Sequence, residues 1–347
     1  MASVPQPGNT ALRQDLYRRM DKQNLAPLWE VLHELIPNEP ATPCKPALWK
    51  YAQARPYLME AGKLITAKEA IRRVLILENP GLHGTSQITN VLFAGLQLIM
   101  PGEIAPAHRH TQSALRFIVE GHGAYTAVDG EKTIMNPGDF VITPSWTWHH
   151  HGNETRDPMI WLDGLDIPMV MKFGATFRED HDAAEAPVTR PDGDSLARFG
   201  SGLLPVGHRA PSQNSPVFNY PYERTREALA AIAKAGEPDA HLGYLMRYVN
   251  PVDGGWAMPT MATMIRLLPR GFATRRYRSS DSMVFVVAEG RGRADVAGRS
   301  FDLDHHDVFV VPGWMEYSLH AVDDLVLFSY SDRVAHEKLG FFREQRL

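Results

Sequence analysis

Two histidines stand two residues apart in the stretch Pro101-Gly102-Glu103-Ile104-Ala105-Pro106-Ala107-His108-Arg109-His110. Side chains of a β-strand alternate between its faces, so His108 and His110 are predicted to point the same way. A third histidine, His149, follows in a later strand-like run. Three neutral imidazoles on one side of a metal ion would leave its other side open to further ligands.

Bulk composition narrows the class of protein. The chain has 347 residues, with 44% hydrophobic and 22% charged residues, which is ordinary for a globular protein of about two domains. A net charge of −4 gives no basic footprint for nucleic acid. The single cysteine, Cys44, excludes an intramolecular disulfide framework and fits a reducing compartment. We find no signal-peptide pattern and no long apolar run, so we expect no membrane partner and a cytoplasmic location.

Sequence patterns typical of helices and of strands alternate along the chain. Leucines at loosely helical spacing predict helix over residues 10–36, and Thr66 with Glu69 resembles a capping box that opens a helix reaching Leu77. Short runs rich in Val, Ile, Phe and Thr follow from about residue 91 to 171 and predict a β sandwich or barrel. A proline-rich stretch and a predicted short alanine-rich helix separate this region from a second region with the same strand-like composition.

The second β region repeats the first. Met283–Gly292 (MVFVVAEGRG) echoes Leu115–Gly123 (LRFIVEGHG), and Asp307–Trp314 (DVFVVPGW) echoes Asp139–Trp146 (DFVITPSW), at an offset of 168 to 169 residues. A duplicated, mainly β domain with helical additions is therefore predicted. We divide the chain into residues 1–85 (N-terminal helical extension), 86–180 (first β domain, metal-binding), 181–240 (linker with a short helix) and 241–347 (second β domain, without metal).

Two motifs in the first β domain resemble the cupin superfamily. The first motif is a glycine, five residues, His-x-His and a closing glycine; the second is a glycine, a proline, a histidine and an asparagine at fixed spacing. The matching residues are Gly102, His108, His110 and Gly121 in the first motif, and Gly138, Pro144, His149 and Asn153 in the second. The resemblance implies a bicupin of two jelly-roll barrels or sandwiches. Trp146 replaces the central glycine of the second motif, and Ala114 or Leu115 replaces the usual glutamate of the first.

The missing glutamate changes the charge of the predicted metal site. A three-histidine site leaves the full +2 charge of a divalent ion, which suits a dianionic chelating substrate. Iron(II), one per chain, is our first choice, with manganese or nickel next. Tyr277 and Ser279 stand where the second copy would need His-x-His, and Tyr317 stands in place of the late histidine, so we expect no metal there.

Longer stretches are similar to the gentisate 1,2-dioxygenase family. They are Leu96-Gln97, Pro101–Arg116, Gly123–Gly130 and Pro137–Gly152, within a match that runs from about Arg72 to Pro168. The resemblance implies Fe(II), O2 and a small aromatic acid, with ring cleavage between the carboxyl-bearing carbon and its hydroxylated neighbour. For gentisate the product is maleylpyruvate. It also implies a homotetramer. A relative acting on salicylate or 1-hydroxy-2-naphthoate, and a non-catalytic bicupin that binds a small aromatic acid, remain alternatives.

Positions that match the family give the candidate site. The metal ligands are His108, His110 and His149; the substrate-binding residues are Arg72, Gln97, Arg116 and His151; the catalytic residues are His151, Arg116 and Asp163. His151 is expected to meet substrate oxygen or help proton transfer, and Asp163 to orient such a histidine. Arg73 competes with Arg72 for the carboxylate-binding role. His150 replaces an aspartate of the family and is predicted to face away from the site.

Overall fold

The computed structural model of the chain describes residues 9–210 and 212–347. The first eight residues of the predicted extension and residue 211 of the predicted linker therefore lie outside the described part. The chain separates into two compact units, Met1–Ala41 and Thr42–Leu347. No described helix combines the length and the apolar character that a bilayer crossing requires.

Strands dominate the secondary structure. The helices are α1 (Asn9–Asp21), α2 (Leu28–Leu35), α3 (Tyr51–Leu64), α4 (Ala67–Ala70), α5 (Ile167–Lys172), α6 (Asp194–Phe199), α7 (Tyr222–Ala235) and α8 (Arg333–Lys338). The strands up to the linker are β1 (Ala47–Trp49), β2 (Val74–Ile76), β3 (Phe93–Ile99), β4 (Ile104–His110), β5 (Ala114–Glu120), β6 (Tyr125–Val128), β7 (Glu131–Ile134), β8 (Phe140–Thr143), β9 (His149–Gly152), β10 (Met159–Leu165) and β11 (Arg178–Asp180). The later strands are β12 (Asn219–Tyr220), β13 (Tyr244–Arg247), β14 (Ala262–Leu268), β15 (Tyr277–Ser279), β16 (Met283–Glu289), β17 (Gly292–Val296), β18 (Arg299–Leu303), β19 (Val308–Val311), β20 (Tyr317–Ala321), β21 (Leu325–Ser331) and β22 (Glu344–Arg346).

The N-terminal unit contains two helices where the leucine spacing predicted one helical region. Helix α1 ends at Asp21, and α2 begins after Pro27, whose ring fixes φ and suits the position before a helix. Within this unit the Trp29 indole donates to the Tyr17 hydroxyl at 2.7 Å, and Arg13 pairs with Glu30. The two helices are thus held together by polar contacts on their own surface.

Each β domain is a sandwich of a six-stranded and a five-stranded antiparallel sheet. In the first domain the strand orders are β12-β8-β5-β10-β3-β2 and β11-β4-β9-β6-β7. In the second they are β1-β19-β16-β21-β14-β13 and β18-β17-β20-β15-β22. The predicted mainly β, duplicated architecture is confirmed. The two copies also share an unusual backbone conformation at equivalent positions. Trp146 (φ 60°) and Trp314 (φ 65°) both have a positive φ, at the position that glycine occupies in the cupin motif.

The two domains share one hydrophobic core. The Phe328 ring of β21 stacks on Phe117 of β5 at 4.5 Å between centroids and lies 5.5 Å from Phe140 of β8. All three side chains are fully buried, and the six-stranded sheets of both domains contribute to this cluster. Burying aromatic side chains from both copies joins the domains into one unit.

The segment after residue 41 crosses to the second domain before the chain enters the first. Strand β1 pairs with β19, and the Lys50 ammonium contacts the carboxylates of Asp304 and Asp307 at 2.6 and 2.8 Å. Helix α3 follows and packs against β3 of the first domain. Residues 42–64 therefore bridge the two sandwiches, which the sequence pattern did not indicate.

The predicted helix from Thr66 to Leu77 is wrong beyond its first turn. The capping box of Thr66 and Glu69 is present, but α4 ends at Ala70, and Ile71 takes a positive φ of 56°. Residues 74–76 then form β2 against β3. Pairing with a strand some twenty residues away outweighs local helix propensity here. The predicted linker helix is present as α7. The domain boundaries stay a prediction.

Candidate active site and metal centre

Three histidines of the first domain converge between two neighbouring strands. His108 and His110 lie on β4, and His149 lies on β9 directly opposite His108 in the antiparallel register. Their ring centroids are 4.4 to 5.3 Å apart, and one nitrogen from each lies within 4.8 Å of the others. In the part of the chain that the structure describes, no other group of three His, Cys, Asp or Glu side chains could share a metal ion.

Backbone carbonyls orient all three imidazoles. The Nδ1 atoms of His108, His110 and His149 lie 3.1, 2.9 and 3.0 Å from the carbonyl oxygens of Pro106, Gln112 and Thr147. A carbonyl only accepts, so Nδ1 of His110 and of His149 carries the proton and Nε2 keeps a free lone pair. Nδ1 of His108 faces both the Pro106 carbonyl and the Arg72 guanidinium. These contacts hold the three rings in an arrangement in which one nitrogen of each lies close to the other two.

The three imidazoles are neutral near neutral pH. Burial, together with the nearby Arg72 charge, lowers the pKa of His108 to about 3. Burial is also the main cause that lowers the pKa of His110 to about 4 and the pKa of His149 well below its ordinary value. Because only a neutral imidazole binds metal, this environment favours a metal over protons at the site.

Arg116 is fully enclosed beside the histidines. Its Nη1 donates to Thr143 Oγ1 at 2.7 Å, and its Nη2 donates to His151 Nε2 at 3.1 Å. Its Nε lies 3.5 Å from Asp163 Oδ1, on the residue opposite it in the register of β5 and β10. Burial lowers the pKa of Arg116, and the Asp163 carboxylate opposes that effect. The guanidinium is therefore held by three side chains from three different strands.

His151 is engaged on both ring nitrogens. A guanidinium can only donate, so Nε2 of His151 accepts from Arg116 and the proton lies on Nδ1, which contacts the hydroxyl of Thr126. Burial and the Arg116 charge lower the pKa of His151 well below its ordinary value. The structure thus brings His151 to the site as a neutral acceptor that fixes Arg116.

Asp163 contacts an arginine where the sequence predicted a histidine. Its Oδ1 accepts from the Trp161 indole at 2.9 Å and faces Arg116. Burial is the main cause that raises the pKa of Asp163 to about 6. Asp163 therefore reaches His151 only through Arg116, because its own carboxylate does not contact the imidazole.

The two neighbouring arginines have different partners. Arg73 makes two 2.8 Å hydrogen bonds to the Glu103 carboxylate and is buried. Arg72 lies on the site side, where its Nη2 donates to the Pro106 carbonyl at 2.8 Å and lies 2.8 Å from His108 Nδ1. Burial, with Arg116 adding repulsion, lowers the pKa of Arg72 to about 9. Buried Gln97 lines a small cleft together with Arg72.

Several residues of this site were not predicted from the sequence. Thr126, Thr143 and Trp161 bind His151, Arg116 and Asp163, respectively. Each lies on a strand and is buried, and Thr143 immediately precedes Pro144 of the second motif. Alternation along the strands would have placed them inward, although it could not have shown which side chain each one meets.

Known proteins match the chain over its whole length. A family model described as a cupin domain matches residues 95–165. Gentisate 1,2 dioxygenase 1 of Aquipseudomonas alcaligenes is 55% identical over 346 residues, which cover 100% of both chains. The chain belongs to the gentisate 1,2-dioxygenase family. A family member from Streptomyces sp, also a gentisate 1,2-dioxygenase, is 39% identical over 347 residues and 96% of both chains.

A solved structure of this family has the same fold. The crystal structure of salicylate 1,2-dioxygenase from Pseudoaminobacter salicylatoxidans, described as adducts with gentisate, matches with a TM-score of 0.93 at 34% identity. The match covers 100% of this chain and 97% of that one. The predicted bicupin fold and the resemblance to ring-cleaving dioxygenases are thereby confirmed.

Proposed function

We propose that the chain is an Fe(II)-dependent dioxygenase that opens the ring of gentisate between C1 and C2 with O2 and yields maleylpyruvate. One observation carries the proposal: three neutral imidazoles converge near the guanidinium groups of Arg72, which contacts His108, and of Arg116, which is buried. Family membership supplies the reaction class, and this arrangement supplies a metal site and an anion site side by side.

His108, His110 and His149 would hold the iron through Nε2, because their Nδ1 atoms are bound to backbone carbonyls. Imidazole ligands suit Fe(II), and the absence of a thiolate among the three disfavours a structural zinc site. When bound, iron supplies a Lewis acid that couples an electron-rich ring to O2. Because all three ligands are neutral, the site keeps the +2 charge of the ion.

The two arginines would bind and orient the acid. Gentisate presents a carboxylate and an ortho hydroxyl, and guanidinium groups bind carboxylates through paired, planar donors. Arg72 is the freer of the two, since its contacts are two backbone carbonyls and one imidazole and include no carboxylate, so it would turn toward the substrate carboxylate. Arg116 is fixed by Thr143, His151 and Asp163 and would define one orientation of the ring.

The remaining predicted residues would support this binding. Gln97 would contact the substrate from the cleft it shares with Arg72. His151 would hold Arg116 in place beside the acid, because its Nε2 accepts from the guanidinium. Asp163 would offset the Arg116 charge and keep the guanidinium oriented. Excluding water from these buried groups strengthens each charged contact.

Loss of iron and loss of turnover should coincide in ligand variants. We expect His108→Ala and His149→Ala to purify with little iron and to consume no O2 with gentisate, as metal analysis and an oxygen electrode would show. His122→Ala, which removes an exposed histidine of the same domain, is the matched control and should keep both properties. Full turnover by either ligand variant would contradict the assignment.

Comparison of substrates tests the alternatives. The solved family member is a salicylate 1,2-dioxygenase, which favours salicylate as the second candidate. Oxygen uptake with gentisate, salicylate and 1-hydroxy-2-naphthoate ranks the three acids by kcat/KM, and gentisate should rank first. Tight binding of gentisate with no O2 consumption by iron-loaded protein would instead indicate a non-catalytic binder. We also propose that the protein is a cytoplasmic homotetramer. Light scattering of the purified protein measures its molar mass and so tests the oligomeric state.

A further inference from the structure

Strand β11 is the edge strand next to β4, and it places two charged residues beside the histidine cluster. Arg178 lies opposite His110 in the antiparallel register of the two strands, and Asp180 lies opposite His108. Residues directly opposite each other in an antiparallel pair point to the same face of the sheet. Arg178 and Asp180 therefore lie on the face that carries the predicted metal ligands.

The contacts on the other face of β11 support this orientation. Glu179 lies between Arg178 and Asp180 and forms an ion pair with Arg109, which lies between the two histidines of β4. The Arg109 guanidinium also lies 4.6 and 4.7 Å from the ring centroids of Trp146 and Trp148. Glu179 thus belongs to a separate group of side chains that faces away from the histidine cluster.

Arg178 and Asp180 form an ion pair at the solvent-exposed rim of the site. Nε and Nη2 of Arg178 both donate to Oδ1 of Asp180, at 3.0 and 2.6 Å. The two side chains are 49% and 70% exposed. An exposed ion pair contributes little to stability, because solvent screens its charges and fixing a long side chain costs conformational entropy. Arg178 can therefore exchange Asp180 for another anion at a small cost.

The charge of Arg178 also acts on the interior of the site. Burial is the main cause that lowers the pKa of Arg72 to about 9, and Arg178 adds to the repulsion from Arg116. Arg116 is buried against Asp163, whereas Arg178 is exposed against Asp180. The site therefore has one guanidinium in its interior, one in contact with a predicted metal ligand and one at its rim.

We infer that Arg178 is a further substrate-binding residue, which leaves Asp180 and binds the anionic aromatic acid at the mouth of the site. The inference rests on the proposed function, from which it takes the acid. A guanidinium at the rim attracts an anion before contact and so raises its rate of entry. Asp180 holds the guanidinium in the absence of substrate and competes with the acid for it.

Substitution of the two partners should therefore have opposite effects. Arg178→Gln should lower kcat/KM about two- to fivefold at low ionic strength, through a higher KM with unchanged kcat, which is the size expected for an exposed ionic contact. Asp180→Asn frees the guanidinium and should raise kcat/KM by a similar factor. High salt should reduce both differences. If the ion pair only supported β11, the two variants would change kcat/KM in the same direction or leave it unchanged, and either result would overturn the inference.

Arg293 and Asp302 provide the matched controls. They form an exposed ion pair between β17 and β18 of the second domain, with side chains that are 53% and 80% exposed. Arg293→Gln and Asp302→Asn remove the same charges as the two test variants and should keep the kcat/KM of the wild-type protein.

Anaerobic calorimetry of gentisate and salicylate binding to the iron-loaded, full-length protein separates this inference from the proposed function. The dissociation constant should rise about two- to fivefold in Arg178→Gln and fall in Asp180→Asn. Wild-type protein that binds an acid but never consumes O2 would contradict the proposed function and leave this comparison valid. Equal dissociation constants for the wild type and Arg178→Gln would overturn the inference alone, and a wild-type protein that binds neither acid would overturn both.

Discussion

Thr143→Val removes one hydrogen bond from the arginine network, which consists of buried Arg116 and its partners Thr143, His151 and Asp163. Thr143 is fully buried on β8, and its Oγ1 accepts from Arg116 Nη1 at 2.7 Å. Valine has nearly the same shape as threonine, so the substitution removes the acceptor with little change in packing. Nε of Arg116 already lacks a hydrogen-bond partner among the described residues, so the variant leaves a second guanidinium nitrogen unpaired.

The expected loss follows from the charge on the donor. A hydrogen bond to a charged group contributes about 1.5–3 kcal/mol, and a buried donor left unpaired loses at least as much. We expect the free energy of unfolding to fall by this amount. If the same bond fixes the orientation of Arg116 toward the acid, kcat/KM for gentisate should fall roughly tenfold or more, chiefly through a higher KM.

Thr133→Val is the matched control for this measurement. Thr133 is also buried, on β7, but its hydroxyl has no partner among the described residues. Its removal should leave the free energy of unfolding unchanged or slightly higher. Urea unfolding and oxygen uptake of both variants decide the question. If Thr143→Val behaves as Thr133→Val does in both assays, the network does not position Arg116.

Four further outcomes are expected. Because the pKa of Asp163 is raised to about 6, kcat/KM should fall as the pH drops below about 6 and the carboxyl loses its charge, and Asp163→Asn should lack this limb. The same raised pKa makes the Asp163 contribution to stability decrease as the pH rises from about 4 to about 6, which pH-dependent unfolding would show. Phe328→Ala should cost about 3–5 kcal/mol of unfolding free energy, and a loss below about 1 kcal/mol would argue against the shared core. Gly138→Ala should destabilise the fold more than Gly102→Ala: both have positive φ, but only at Gly138 would a Cβ lie 2.4 Å from an aromatic ring, and equal melting temperatures would contradict this.

The duplicated fold and the three clustered histidines could be predicted, because both follow from residue patterns within short stretches of the sequence. Strand alternation sets the direction of His108 and His110, and motif spacing brings His149 into the same register. The segment after Ala70 could not be predicted in this way. Its residues continue a helical pattern, yet β2 forms because β3 offers a pairing edge that only the folded sheet creates. The left-handed Ile71 is a cost of that pairing.

The partners of Arg116 could not be predicted from the sequence either. Arg116 was predicted, but its partners come from β8, β9 and β10, and no sequence spacing relates them to one another. Asp163 was expected beside a histidine, since both residue types are common partners, and the register of β5 and β10 places an arginine there. The sequence does not distinguish Arg72 from Arg73, because only the fold brings Glu103 to Arg73.

The pairing of β1 with β19 has a consequence for synthesis of the chain. Ala47–Trp49 leaves the ribosome long before its partner, Val308–Val310, has been translated. At about 5–20 residues per second the interval is roughly 13 to 52 seconds. During that time the strand has no native partner, while all strands of the first sandwich, the last of which is β12, have been translated. The final closure of this protein is therefore expected to be post-translational, with its earliest strand docking last.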